Sequence, residues 1–124
     1  MTESDLQIQV ANYLRTQYPD IVFHSDFGSG IKLTMGQAVK QKRQNGSRRA
    51  WPDMFIAEPN GAYHGLFLEL KRDGVKVHKK NGELVADKHI REQAEILDLL
   101  QHKGYEARFA IGFDELLVLT KQSL

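Results

Sequence analysis

Apolar residues recur along this chain at two spacings, and the switches between them predict eight elements. Leu6, Val10, Tyr13 and Leu14 repeat at helical intervals as far as about Tyr18, where Pro19-Asp20 ends the pattern. Thr2-Glu3-Ser4-Asp5 reads as a capping box, with Thr2 as the N-cap. Ile21 to His24 is a short strand-like run, followed by a loop at Asp26-Phe27-Gly28-Ser29-Gly30. From Thr34 or Met35 to Gln44 a second helix is expected, closed by Asn45-Gly46. Its few apolar positions, Met35, Ala38 and Val39, place it on the surface with a basic face outward. Pro52 to Ile56 and Gly65 to Lys71 are two strand runs joined by the turn signals Glu58-Pro59-Asn60-Gly61, which predict an antiparallel pair. Val75 and Val77, then Asn81-Gly82, then Leu84 and Val85 predict a small hairpin or flap. A third helix begins at Asp87 or the next residue and runs to Lys103. It carries Ile90, Gln93, Ala94, Leu97 and Leu100 on one face and ends at Gly104. Tyr105 to Gly112 alternates as a last strand, and Phe113 to Lys121 is a closing helix. The order α, β, α, β, β, α, β, α predicts a single α/β domain over residues 1–124, a sandwich with a central mixed sheet flanked by helices.

The candidate chemistry lies in the paired strands. A period of two sends Leu66, Leu68 and Leu70 to one face and Phe67, Glu69 and Lys71 to the other. Antiparallel pairing can bring Asp53 to the end of the hairpin where Glu69 and Lys71 lie. Two carboxylates about 5 Å apart repel by roughly 3 kcal/mol at an effective dielectric near 20. A hard divalent cation removes that penalty, and Mg²⁺ or Mn²⁺ prefers carboxylate, carbonyl and water oxygens. Asp53, Glu69 and the backbone carbonyl of Leu70 are suitable ligands. Lys71 would stand beyond the ion, where an ammonium orients or helps to deprotonate a water and offsets charge growing on a phosphate. This is chemistry for cutting a phosphodiester.

Pro52-Asp53 followed by Glu69-Leu70-Lys71 on a strand resembles the PD-(D/E)xK nuclease superfamily, and the surrounding residues resemble its VRR-NUC branch. Glu3-x-x-x-Gln7 opens the chain, Gly-Leu-Phe-Leu-Glu-Leu-Lys-Arg spans 65–72, Glu92-Gln93 follows, and Lys103-Gly104-Tyr105 leads into the last apolar strand. The ordered set Glu3, Asp53, Glu69, Lys71 and Gln93 carries the likeness, which extends over nearly the whole chain. It implies a restriction endonuclease-like three-layer sandwich and a metal-dependent DNA endonuclease. It also implies that Glu3 helps to bind metal, directly or through water, with Gln7 in support, and that Gln93 sits beside the site lysine. Stand-alone domains of this kind resemble junction-resolving enzymes acting as homodimers on branched DNA, since two cuts in a four-way junction need two sites. A flap or nicking nuclease and a non-catalytic DNA-binding module of the same fold are the alternatives. The family usually has a glycine and a small apolar or aromatic residue before the Pro-Asp, whereas Ala50-Trp51 stands here.

Composition narrows the picture. The 124 residues are 41% hydrophobic, and the mean hydropathy is −0.46. No apolar run approaches bilayer length, and the first residues lack a signal peptide's basic and then apolar segments. A cytoplasmic protein, bacterial or phage-encoded, is the expectation. The chain has no cysteine, which excludes disulfides, Cys-based zinc sites and a thiolate nucleophile. The net charge of +1 is uninformative, but its distribution is not. Between Gly28 and Pro52 there is no acid, while Lys32, Lys40, Lys42, Arg43, Arg48 and Arg49 are basic. Arg72, Lys76, Lys79 and Lys80 follow the candidate site. Such stripes attract phosphates, although a solvated basic face is the plainer reading of composition alone.

Several residues admit two readings. A first-turn Glu3 is also what the helix dipole favours. Gln93, the polar member of an apolar stripe, needs partners, which a metal-bound water, Lys71 or the backbone would supply. His24 and Asp26 suggest an acid/base pair, but an edge-strand His beside a turn Asp explains them. Trp51 could stack on a base, and as a lone tryptophan next to a strand it is expected in the core. His78 and His89 lack any ligand spacing for a metal.

Overall fold

The computed structural model describes residues 1–26, 33–46 and 50–124. Lys32, Arg48 and Arg49, expected at a DNA interface, lie outside the described residues, as does most of the loop expected at 26–30. Eight elements follow in the anticipated order: α1 (Glu3–Gln17), β1 (Phe23–Ser25), α2 (Met35–Gln44), β2 (Met54–Ile56), β3 (Leu66–Lys71), α3 (Lys88–His102), β4 (Glu106–Ile111) and α4 (Gly112–Ser123).

The four strands form one mixed sheet in the order β1-β2-β3-β4. β1 pairs antiparallel with β2, and β2 with β3, in the register Met54↔Leu68, Phe55↔Phe67 and Ile56↔Leu66. β4 runs parallel to β3, and α3 makes the crossover between them that a parallel pair requires. The predicted alternation on β3 sorts its side chains between two layers. Leu66, Leu68 and Leu70 join Leu6, Val10 and Leu14 of α1 and Leu116 and Leu119 of α4 in one core. Phe67 faces the other way and packs with Leu97 of α3 and Ala107 of β4. Every residue of β3 is buried, so Glu69 and Lys71 are polar groups held inside a three-layer structure.

The local determinants largely match the sequence pattern. Thr2 Oγ1 accepts from the Asp5 N–H and Asp5 Oδ2 accepts from the Thr2 N–H, both at 3.0 Å, which closes the capping box of α1. Asp87 caps α3 through the Ile90 N–H at 3.0 Å. The buried face of that helix includes Ile96 beside the expected Ile90, Gln93 and Leu97. Asn81-Gly82 turns the flap, with Gly82 at φ 87°, while a His78↔Leu84 bridge and a Val85 N–H bond to Val77 O at 2.9 Å join its arms. The last strand stops one residue early. Gly112, at φ 80°, opens α4 instead, and glycine suits the place because a β-carbon there would lie 1.9 Å from Asp73 Oδ1.

Trp51 is a correction. It is 53% exposed and does not enter the core, meeting Phe67 edge-on at 5.3 Å between ring centroids. Phe55 takes the inner place, stacked on Phe67 at 4.5 Å. Helix α2 buries none of its residues, as expected of a surface helix. Among the described residues no helix is long and apolar enough to cross a membrane.

Candidate active site

The hairpin register determines which acids meet. Asp53 immediately precedes β2, and the register that sets Met54 against Leu68 continues to set Asp53 against Glu69. Its side chain is turned onto β3, where Asp53 Oδ2 accepts the Leu70 N–H at 2.8 Å. Its backbone is held as well. Asp53 O accepts from the Asp26 N–H at 2.9 Å and from Gln7 Nε2 at 3.4 Å. Gln7 Nε2 also reaches Ser25 Oγ and Asp26 O, so α1 grips the end of β1 and the Asp53 peptide through one amide. This is a concrete form of the supporting role that the likeness implies for Gln7.

Glu69 is 3% exposed and Lys71 is 4% exposed. Burial, followed by the charge of Asp53 and a side-chain hydrogen bond with it, pushes the Glu69 carboxyl up to about 10; the Lys71 charge opposes this and that of Glu3 adds to it. Two ionised carboxylates have no donor between them. With its carboxyl held that high, Glu69 favours the neutral form while no cation is present. Its Oε2 is buried without a hydrogen-bond partner.

From the opposite layer, Gln93 of α3 donates Nε2–H to Glu69 Oε1 at 2.8 Å. The odd amide in the apolar stripe thus meets the site acid, while its own Oε1 is buried and unpartnered. His89, one turn earlier, approaches Gln93 Nε2 at 3.2 Å. The i, i+4 spacing of the two residues on α3 is the sequence signal for that contact, although it matches no metal-ligand pattern. Glu3 stands half-buried in the first turn of α1 and acts on Glu69 through its charge.

The donor set fits a hard divalent ion. Asp53, Glu69 and the Leu70 carbonyl would offer oxygen donors, and Glu69 Oε2 is a buried acceptor without a partner. Among the described residues no group of three or more His, Cys, Asp and Glu is placed to hold a metal, so the protein would supply two carboxylates and leave other positions to water and substrate. Mg²⁺ sites commonly have that form.

The remaining candidates are distributed around this centre. Arg72, Lys76, Lys79 and Lys80 are exposed on the segment leaving β3 and on the flap, and Lys40, Lys42 and Arg43 are exposed on α2. His24 and Asp26 approach to 3.3 Å on the surface, with 80% and 48% of their side chains exposed, an edge contact as expected. Ala50 takes φ 60°, the left-handed conformation that a glycine adopts without strain, and this places the departure before Pro52-Asp53 in physical terms.

A mixed sheet between helical layers, with an acid at the mouth of a hairpin facing Glu-x-Lys on the next strand, defines a nuclease-type α/β domain of restriction endonuclease-like architecture. A solved structure described as a VRR_NUC domain protein is similar over 100% of this chain and 88% of its own, with a TM-score of 0.70 and 27% sequence identity. No protein-family model and no curated protein matches the chain. This likeness, over the whole chain, supports a VRR-NUC domain.

Proposed function

We propose that this domain is a divalent-metal-dependent DNA endonuclease. The observation that carries the reading is the bond of Asp53 onto β3 at Leu70, which sets its carboxylate between buried Glu69 and buried Lys71. Mg²⁺ or Mn²⁺ held by Asp53, Glu69 and Leu70 O would supply charge neutralisation at the scissile phosphate and a more acidic water. Lys71 orients the attacking water and offsets charge on the non-bridging oxygens. Gln93 holds Glu69 in place, and Glu3 adds negative charge that favours the cation. Water attacks phosphorus in line, the bond to the 3′ oxygen breaks, and that oxygen takes a proton from solvent. The exposed cations of α2, of the segment after β3 and of the flap support DNA as the substrate, and exposed Trp51 offers a ring for stacking on a base.

One site on a small domain suits a homodimer cutting branched DNA at two places, and a four-way junction is the proposed substrate. The test compares four-way junction, flap and plain duplex DNA with Mg²⁺, Mn²⁺ or chelator, alongside light scattering of the protein. Metal-dependent cleavage that is fastest on the junction, from a particle of twice the monomer mass, supports the whole reading. Binding without cleavage at every metal concentration would instead identify a DNA-binding module. Anomalous scattering from a Mn²⁺-soaked crystal locates the ion directly.

A further inference from the structure

His89 performs no step in the reading above, yet it touches the amide that holds Glu69. Gln93 is 5% exposed, and its Nε2 lies 2.8 Å from Glu69 Oε1 and 3.2 Å from His89 Nε2. An amide nitrogen has two hydrogens and no lone pair to offer, so it donates in both contacts. The ring nitrogen facing it must then be the unprotonated one, which places the imidazole hydrogen on Nδ1. Rotating the amide by half a turn would set Gln93 Oε1 against Glu69 Oε1 in place of a donated hydrogen, and would meet the lone pair of His89 in its Nδ1–H form. His89 with its hydrogen on Nδ1 therefore adds to the preference for the orientation that Glu69 favours. In that orientation Gln93 Oε1, buried and unpartnered, is the acceptor kept free for a water or for the Lys71 ammonium.

We propose that His89 is a positioning residue that locks the Gln93 amide with its nitrogen on Glu69 and its oxygen free for the reacting water or Lys71. The proposal rests on the nuclease reading for its effect on rate, but its geometry stands independently. His89 is exposed in the first turn of α3, so its variants should fold as the parent does. His89→Ala and His89→Lys, which lack an acceptor, should lower kcat by about tenfold with KM for DNA unchanged. His89→Gln, whose carbonyl oxygen can accept from the same place, should restore kcat to within about twofold of the parent. His89→Ala added to Gln93→Ala should cost nothing more, because the two act through one contact. A readout free of activity is the imidazole ¹⁵N spectrum of the intact protein, in which Nε2 should carry the unprotonated shift, with a downfield Gln93 side-chain N–H that disappears in His89→Ala. A protonated Nε2 in the neutral ring, additive losses in the double variant, or a change confined to KM would overturn the proposal. If the parent cut no DNA, the nuclease reading would fail while the nitrogen spectrum still decided the His89 contact.

Discussion

Asp53 Oδ2 accepts the Leu70 N–H at 2.8 Å, so an acid from the mouth of one strand is fastened to the next strand between the two polar residues of Glu-x-Lys. Asp53→Asn can keep this bond through its remaining oxygen and remove the charge. Lys71→Met keeps the buried stem and removes the ammonium. Both should retain the parent circular dichroism spectrum while single-turnover cleavage falls at least about a hundredfold. Full metal-dependent activity in either variant would reject the assigned roles.

The raised Glu69 carboxyl has a thermodynamic consequence. The Glu69 carboxyl titrates near 10 in the folded protein and near 4.5 in a free chain. Across that interval the metal-free fold binds more protons than the unfolded chain, so its stability falls as pH rises. In chelator, Tm should drop by at least about 4 °C between pH 6 and pH 9. Glu69→Gln, which mimics the neutral acid, should lose most of that slope. A parent and variant with the same pH dependence would show that no proton resides there.

Gln7 ties α1 to three acceptors at the end of β1 and at Asp53. Gln7→Ala should destabilise the fold by about 1–2 kcal/mol in urea melts, as expected for removal of partly buried hydrogen bonds. It should also slow cleavage by about tenfold, because the Asp53 backbone is no longer clamped.

Two backbone positions predict opposite effects of one methyl group. Ala50→Gly relieves a left-handed alanine and should stabilise by about 0.5–1 kcal/mol. Gly112→Ala puts a β-carbon 1.9 Å from Asp73 Oδ1 at φ 80° and should cost about 2 kcal/mol or more. Denaturant midpoints at equal m-values measure both.

If α2 binds the DNA backbone, replacing Lys40, Lys42 and Arg43 with Gln should weaken binding alike on unrelated sequences. The slope of log K against log salt should become shallower by about 0.9 for each phosphate that is no longer neutralised. An unchanged slope would place α2 away from the DNA.

Most of the fold is legible in the sequence because its signals are local. Thr2 and Asp5, Asn81-Gly82 and the alternation from Leu66 to Lys71 each mark an element within a few residues. Asp53, Glu69 and Lys71 can be brought together on paper because antiparallel pairing of the two runs sets the start of one against the end of the other. What the sequence does not reveal depends on contacts across layers. Tryptophan carries a large apolar area, which favours an inner place for Trp51, but Phe55 already fills the space over Phe67. The link from Gln7 to Ser25 and Asp53 joins residues far apart in the chain. The His89 contact gains its meaning only because Gln93 points at Glu69. Lys32, Arg48 and Arg49 lie outside the described residues.

The upward push on the Glu69 carboxyl makes H⁺ a competitor for any cation at this centre. Each cation that docks there must expel H⁺, so loading would acidify a weakly buffered solution and tighten as the medium becomes more alkaline.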